Sequence, residues 1–172
     1  MIKKLISIAL TIILSGCGIA KTFLYAATSP EPNYKVFPLG ENKKILIEIE
    51  KTYIEKPYLI SLRTEFIDGS KHPSYKVYKE LNYPFELEIK GYKKSGNDYS
   101  LFITKIITQN NISYDNDSIT ENPKNSAFTR SFGFITLPAG QYRFEITDRS
   151  KPIDKYKKIQ TSIDIFVDTS IK

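Results

Sequence analysis

The sequence offers one histidine, one cysteine and two sets of closely spaced carboxylates as side chains that could do chemistry. Because His72 is the only histidine, a zinc site with two or more histidine ligands and the paired histidines of a metalloprotease helix are both excluded. No Gly-x-Ser-x-Gly segment supplies a serine that His72 could activate, and no glycine-rich loop is present to bind phosphates. We therefore expect His72 to be an exposed loop residue.

The carboxylates suggest a calcium site and a glycosidase pair, each with a simpler explanation. The segment 115–121 alternates acidic residues as calcium loops do, but it departs from the EF-hand pattern at Ile119 and Thr120, which favours a solvated acidic loop. Glu86 and Glu88 share one face of a predicted strand and have lysines nearby, as surface charges do. We expect no enzymatic activity, no metal and no small-molecule cofactor.

Cys17 follows an N-terminal segment with the three parts of an export signal. Lys3 and Lys4 precede an apolar run that is shorter than the roughly 20 residues needed to cross a membrane. The segment Leu14-Ser15-Gly16-Cys17 resembles the bacterial lipobox, in which cleavage between Gly16 and Cys17 leaves the cysteine to carry a lipid. The alternative is an ordinary secreted protein with a buried cysteine. Gly18, rather than an aspartate, favours anchoring to the outer membrane with the domain facing the periplasm.

Three regions follow from this signal: a signal peptide (1–16), a lipidated tether (17–33) and one domain (34–172). Lipidation would use the only cysteine, so the domain has to be stable without a disulfide. Loss of Lys3 and Lys4 lowers the formal net charge by two, from +6 to +4. The remaining lysines are scattered among acids, so we expect no nucleic-acid partner.

Alternating apolar and polar residues predict about seven strands. Ile45, Ile47 and Ile49 share one face of the first strand, with acids on the other face. Similar alternation occurs at 58–66, 85–90, 128–134, 142–146 and 159–167, where Ser61, Arg63, Glu65, Gln160, Ser162 and Asp164 are predicted to face outward and Phe128, Phe132 and Phe134 inward.

Two further segments lead to predictions about topology. The segment 101–107 is apolar on both sides, which predicts a central strand covered on both faces, with a short buried helix as the alternative. The turn Leu137-Pro138-Ala139-Gly140 lies between two alternating segments and predicts a hairpin, in which Gly140 adopts a positive φ.

A single short helix is expected from Pro73 to Leu81, and the polar segment 108–127 is expected to be a long loop. Many strands with almost no helix predict an all-β fold, an antiparallel β-sandwich of immunoglobulin-like or transthyretin-like type, with a barrel as the alternative. Tyrosines are concentrated between residues 53 and 99, where core packing explains most of them. Tyr75 and Tyr78 are the candidates for partner binding, because Val77 and Leu81 already define the buried face of the helix.

Several motifs resemble a family of bacterial lipoproteins known as domain-of-unknown-function family 5625. They are Pro38-Leu39, Lys56-Pro57-Tyr58 leading into Ile60-Ser61-Leu62, the basic segment Lys76-Val77-Tyr78-Lys79, and 137–144 with its proline-glycine turn. The resemblance covers most of the predicted domain. It implies a lipoprotein with this fold and assigns no activity.

Two functions are compatible with these features. The first is a membrane-anchored, periplasm-facing module that binds another protein without catalysis, with toxin-neutralising immunity as one form of it. The second is a structural lipoprotein of an envelope or secretion assembly.

Overall fold

The computed structural model describes residues 34–52, 55–67, 83–111, 114–118 and 127–167, which form two antiparallel sheets of a β-sandwich. The five-stranded sheet has the order β1-β9-β3-β7-β6, and the four-stranded sheet has the order β2-β8-β4-β5. The all-β sandwich is confirmed, with nine strands in the described residues where about seven were predicted. The strands are β1 (Lys35–Val36), β2 (Lys44–Thr52), β3 (Lys56–Phe66), β4 (Glu86–Ser95), β5 (Asp98–Thr108), β6 (Tyr114–Ser118), β7 (Ala127–Leu137), β8 (Gly140–Asp148) and β9 (Ile159–Val167), with 3-10 helices at Gln109–Asn111 and Asp154–Lys158.

Apolar side chains that alternate along the strands fill the space between the two sheets. Burial of one such side chain stabilises the fold by roughly 1.5 to 3 kcal/mol. The side of each strand that carries the apolar residues therefore faces the core. The most deeply buried members are Phe37, Ile60, Leu62, Leu87, Ile89, Ile107, Leu137, Phe144, Ile146 and Ile163.

Lysines connect the sheets at both lateral edges of the sandwich. The Lys35 ammonium of β1 donates to the Leu46 carbonyl of β2 at 2.6 Å, and the Lys105 ammonium of β5 donates to the Phe132 carbonyl of β7 at 3.2 Å. An inward-pointing lysine on an edge strand also disfavours pairing with another chain. Both edges are thus linked by a side chain that reaches a backbone oxygen of the other sheet.

The prediction that 101–107 forms a central strand covered on both faces is wrong. This segment lies in β5, which pairs with β4 alone among the described strands and forms the edge of the four-stranded sheet. Leu101 is 54% exposed and Ile106 is 45% exposed. The pattern misleads because a second apolar face on a strand can belong to a surface as well as to a core.

The turn at Pro138-Ala139 is a connection between sheets, so the predicted hairpin is wrong. β7 belongs to the five-stranded sheet and β8 to the four-stranded sheet. The inward direction of Tyr142, Phe144 and Ile146 is confirmed, as is the positive φ of Gly140, at 156°. Two consecutive strands joined by a short turn can pair with each other or can lie in opposite sheets. The alternation of apolar and polar residues is the same in both cases.

A bulge in β7 reverses the predicted direction of Phe134. Leu59 of β3 pairs with Phe134 and Ser61 pairs with Ser131, so Phe132 and Gly133 together oppose one residue. Gly133 has a φ of +87°, which suits a bulge position because glycine has no Cβ to clash. As a result Phe128 and Phe132 are buried as predicted, whereas Phe134 is 49% exposed.

Part of the predicted loop 108–127 is regular structure. It contains a 3-10 turn and the strand β6, which pairs with β7 so that Asp117 lies opposite Phe128. Residues 115–118 of the calcium-like motif therefore lie on an extended strand, and 119–121 lie outside the described residues. Gly16, Cys17, His72, Tyr75, Tyr78 and the predicted helix also lie outside them. Within the described ranges, no helix has the length and apolar character to span a membrane.

Candidate functional site: an exposed apolar and aromatic sheet face

Among the described strands, β5 has the largest number of exposed large apolar residues, and two of them lie on the outer side of the four-stranded sheet, which we call the four-strand face. Leu101 and Ile106 of β5 lie on it, beside Tyr92 of β4. Leu46 of β2, at the other end of the sheet, is 43% exposed. Apolar side chains grouped on an exposed face are a common feature of protein-binding surfaces.

A bulge in β5 brings these residues onto one side of the strand. Gly91 of β4 pairs with Ile103, whereas the next residue, Tyr92, pairs with Leu101, so Phe102 is the extra residue. Without this insertion, Leu101 and Ile106 would lie on opposite faces, because side chains alternate along a strand. The Phe102 ring packs edge-on against Tyr142 at 5.5 Å between ring centroids.

A basic side chain lies over an aromatic ring on the four-strand face, where Tyr99 is close to the turn between β4 and β5. The Arg143 guanidinium of β8 lies 4.2 Å from the centroid of the Tyr99 ring. The same guanidinium contacts the Glu48 carboxylate of β2 at 3.0 Å. Stacking and ion pairing restrict the rotamers of the arginine before any partner arrives, and tyrosine and arginine are enriched where protein interfaces gain most of their energy.

The Glu86 and Glu88 carboxylates lie on this face too, and Glu88 is engaged by basic side chains. Glu88 accepts a hydrogen bond from Arg149 at 2.8 Å and lies 3.4 Å from the Lys90 ammonium. The hydrogen bond from Arg149, with the charge of Lys90, lowers the pKa of Glu88. Glu88 is thus already occupied by two basic partners on the exposed sheet face, a geometry that fits the simpler interpretation as surface charge.

The outer side of the five-stranded sheet, the five-strand face, has a buried polar centre. Ser61 of β3 and Asp164 of β9 face outward as predicted, yet Ser61 is 0% exposed and Asp164 is 4% exposed. The Ser61 and Ser131 hydroxyls are hydrogen bonded at 3.1 Å, and an Asp164 oxygen accepts the Ile165 amide at 2.8 Å. Buried polar groups are stable when they have such partners.

Tyr34, the first described residue, packs onto the five-strand face. Its ring makes an edge contact with Phe166 at 6.1 Å between centroids. Burial raises the pKa of Tyr34, while hydrogen bonding to Thr129 and Ser61 opposes the rise. The point at which the predicted tether joins the domain is therefore held against this sheet.

A groove of about 540 Å³ lies beside the 3-10 helix that precedes β9. Its wall is mostly apolar and includes Val36, Leu39, Ile153 and Tyr156. The Tyr156 hydroxyl donates to the Pro84 carbonyl, and the fully buried Asp148 carboxylate accepts the amides of residues 41 and 42. These bonds fix the wall of the groove, but no charged side chain is buried in it to select a ligand.

Sequence reasoning missed the residues of the four-strand face. It selected Tyr75 and Tyr78, which lie outside the described residues, and assigned 101–107 to the core. The signal was the exceptional apolar content of that segment, but only the sheet order shows that it lies at an edge. In the described part of the chain, no group of three or more histidine, cysteine, aspartate or glutamate residues could hold a metal ion.

Comparison with known proteins gives support for the fold alone. No family model matches the chain, and no curated protein matches it. Among solved structures, the crystal structure of GEBA250068378 from Sulfurospirillum deleyianum is similar, with a TM-score of 0.55 over 81% of this chain and 98% of that chain. Sequence identity between the two is 13%, so the similarity extends to the β-sandwich and not to an activity.

Proposed function

We propose that the chain is a lipid-anchored, non-enzymatic binding protein of the cell envelope, and that its four-strand face binds another protein. The observation that supports this most is the grouping of the Arg143–Tyr99 stack with the exposed side chains of Leu101 and Ile106 on one sheet face. Large apolar and aromatic groups, an arginine and a surrounding set of charges are what a protein interface contains. The anchor is Cys17, and outer-membrane attachment with a periplasmic domain is the location we propose.

Photo-crosslinking in the living cell tests the binding role. A photoreactive residue is introduced at Leu101, and a matched control carries it at Asp154, whose side chain is 95% exposed on the 3-10 helix. We expect a discrete crosslinked protein at position 101 and none at 154. The proposal is wrong if position 101 yields no adduct, or if both positions yield the same adducts.

Specific binding also has to depend on the face itself. Combining Ile106→Asp with the crosslinker at position 101 should remove the adduct, because a carboxylate would have to be desolvated at the centre of the interface. Leu46→Asp, on the far strand β2, serves as the matched control and should reduce the adduct less. Both residues are exposed, so thermal melts should confirm that each variant is folded.

Labelling with palmitate tests the anchor separately. Wild-type protein should take up the label and lose its signal peptide, whereas Cys17→Ser should remain unlabelled and uncleaved, because the lipobox requires the thiol. Equal labelling and processing of the two proteins would overturn the anchor assignment.

A further inference from the structure

One end of the sandwich combines the apolar groove with a concentration of lysines, and we call it the groove end. It consists of the groove walls and of residues 151–158, which include the 3-10 helix before β9. We propose that the groove end contacts a membrane surface that contains anionic phospholipid. Its lysines would lie at the headgroups, and its exposed aliphatic side chains would enter the boundary of the acyl chains.

Half of the formal net charge of the chain is concentrated in residues 151–158. This segment contains four lysines and one acid, a formal charge of +3, against +6 for the whole chain. The acid, Asp154, is paired with Lys157 at 2.8 Å. Within the described part of the chain, no carboxylate forms an ion pair with the other three lysines, which are all exposed: Lys151, Lys155 and Lys158. The segment therefore presents three uncompensated cations to the solvent.

Two exposed aliphatic side chains line the groove beside these cations. Ile67 is 50% exposed, and its amide donates to the Lys158 carbonyl at 3.1 Å. Val36, also in the groove wall, is 60% exposed. The acid of the wall, Glu41, is already paired with Lys43 at 3.1 Å and leaves the excess of positive charge unchanged. Apolar groups beside cations suit a membrane interface, because the first enter the acyl boundary while the second attract anionic headgroups.

The walls of the groove are held in place by the fold itself. A Cβ on Gly40 would lie 2.9 Å from the Cα of Pro152, so this glycine packs directly against the backbone that leads into the 3-10 helix. The hydroxyl of Tyr156, within that helix, donates to the Pro84 carbonyl. The backbone beneath the lysines is thus fixed, and only their side chains have to be ordered when the groove end meets a surface.

The type of cation favours a lipid surface over a protein partner. All four cations of the segment are lysines, which are depleted in protein interfaces, whereas arginine and tyrosine are enriched there. A lysine ammonium acts as a point charge and contacts phosphate without the paired geometry that arginine offers to a carboxylate. The four-strand face has the opposite character, with Arg143 stacked on Tyr99. The two surfaces therefore fit different partners.

Fluorescence quenching by lipids with nitroxide-labelled headgroups tests the groove end in the full chain. A fluorescent amino acid is incorporated genetically at Ile67. The matched control carries it at Phe134, which is 49% exposed and lies opposite Leu59, about 23 Å along β3 from Phe66. The protein is reconstituted with vesicles of phosphatidylcholine, alone or mixed with phosphatidylglycerol. We expect at least twofold stronger quenching at position 67 in the anionic vesicles than in the neutral ones, and no such difference at position 134. Equal quenching of position 67 in the two kinds of vesicle would overturn the proposal.

Neutral variants separate the position of the lysines from the net charge. Lys155→Gln with Lys158→Gln removes two cations from one side of the 3-10 helix, because residues three apart are aligned there, and should remove most of the additional quenching at position 67. Lys90→Gln with Lys94→Gln makes the same change in net charge on β4 and should leave the quenching intact. These measurements need no protein partner, so they can fail while the photo-crosslinking at Leu101 succeeds, and the reverse. An equal loss of quenching in the two double variants would show that net charge alone attracts the protein, and the groove end would then not be the contact surface.

Discussion

The two outer faces of the sandwich are built from strands of similar alternation, yet one is buried at its centre and the other is open. On the five-strand face, Ser61 and Asp164 are 0% and 4% exposed. On the four-strand face, the apolar side chains of Leu101 and Ile106 are about half exposed. At these four positions polarity and exposure are thus reversed relative to the usual pattern, in which polar residues face water.

This reversal has an energetic basis on each side. The hydroxyls and carboxylate of the five-strand face tolerate burial because hydrogen bonds replace those to water, as between Ser61 and Ser131. The Arg143–Glu48 ion pair of the four-strand face is largely exposed and contributes at most about 1 kcal/mol to stability. The first face therefore affects stability strongly, whereas the second can exchange its contacts for those of a partner at little cost to the fold.

The largest effect is expected from a charge placed in the buried polar centre. Ser61→Asp would put a second carboxylate beside Asp164 at a fully buried position, and burial of a like charge there should cost about 3 kcal/mol or more. Thr104→Asp is the matched control at an exposed position of the four-strand face. Thermal melts should show a large decrease in Tm for Ser61→Asp and almost none for Thr104→Asp. Similar Tm values for the two variants would remove the contrast between the faces.

Alkaline pH should destabilise the protein through its buried tyrosines. Burial raises the pKa of Tyr58 in the core to about 12, and it also raises the pKa of Tyr34 on the five-strand face. Above pH 10 the unfolded chain releases the Tyr58 proton while the folded protein retains it, so stability falls between pH 10 and 12. For Tyr58 this loss should reach about 1 kcal/mol at pH 11.

Urea unfolding at pH 9 and pH 11 measures this loss. Tyr58→Phe should lose less stability between the two pH values than wild type, and the comparison removes the contribution of lysines, which titrate in both proteins. An equal loss in the two proteins would show that Tyr58 ionises as readily in the folded state as in the unfolded one.

The residues on the inner face of each strand could be predicted from sequence. Which strands pair with each other, and how exposed the outward side chains are, could not. Burial of Ile47, Ile60 and Phe144 follows from alternation, because each strand has to place one apolar face on the core. Alternation carries no information on which strands pair, so the edge position of β5 was missed. Bulges at Phe102 and Gly133 change the phase of the pattern by one residue, and the sequence around them does not indicate where they occur.

A moderate effect is expected at the corner that joins the two sheets. Gly140 has a φ of 156°, and a Cβ there would lie 3.1 Å from Lys93 Cε, so Gly140→Val should cost about 1 to 2 kcal/mol. The corner is also held by the Thr52 hydroxyl, which donates to the Pro138 carbonyl at 2.9 Å. Gln141→Ala, at an exposed neighbour, is the control and should leave the Tm nearly unchanged. If Gly140→Val and wild type have the same Tm, the corner does not need a glycine.

The smallest effect is expected on the four-strand face, where a double-mutant cycle can measure the Arg143–Tyr99 stack. The guanidinium lies 4.2 Å from the ring centroid, and a partly exposed cation–π contact of this kind contributes about 0.5 to 1 kcal/mol. Arg143→Ala, Tyr99→Ala and the double variant should therefore show a coupling energy in this range by urea unfolding. Arg143→Ala also removes the ion pair with Glu48, but the cycle isolates the stack, since Tyr99→Ala leaves that pair in place. A coupling near zero would mean that the arginine is not held over the ring, and the proposed binding face would then lack this preorganised side chain.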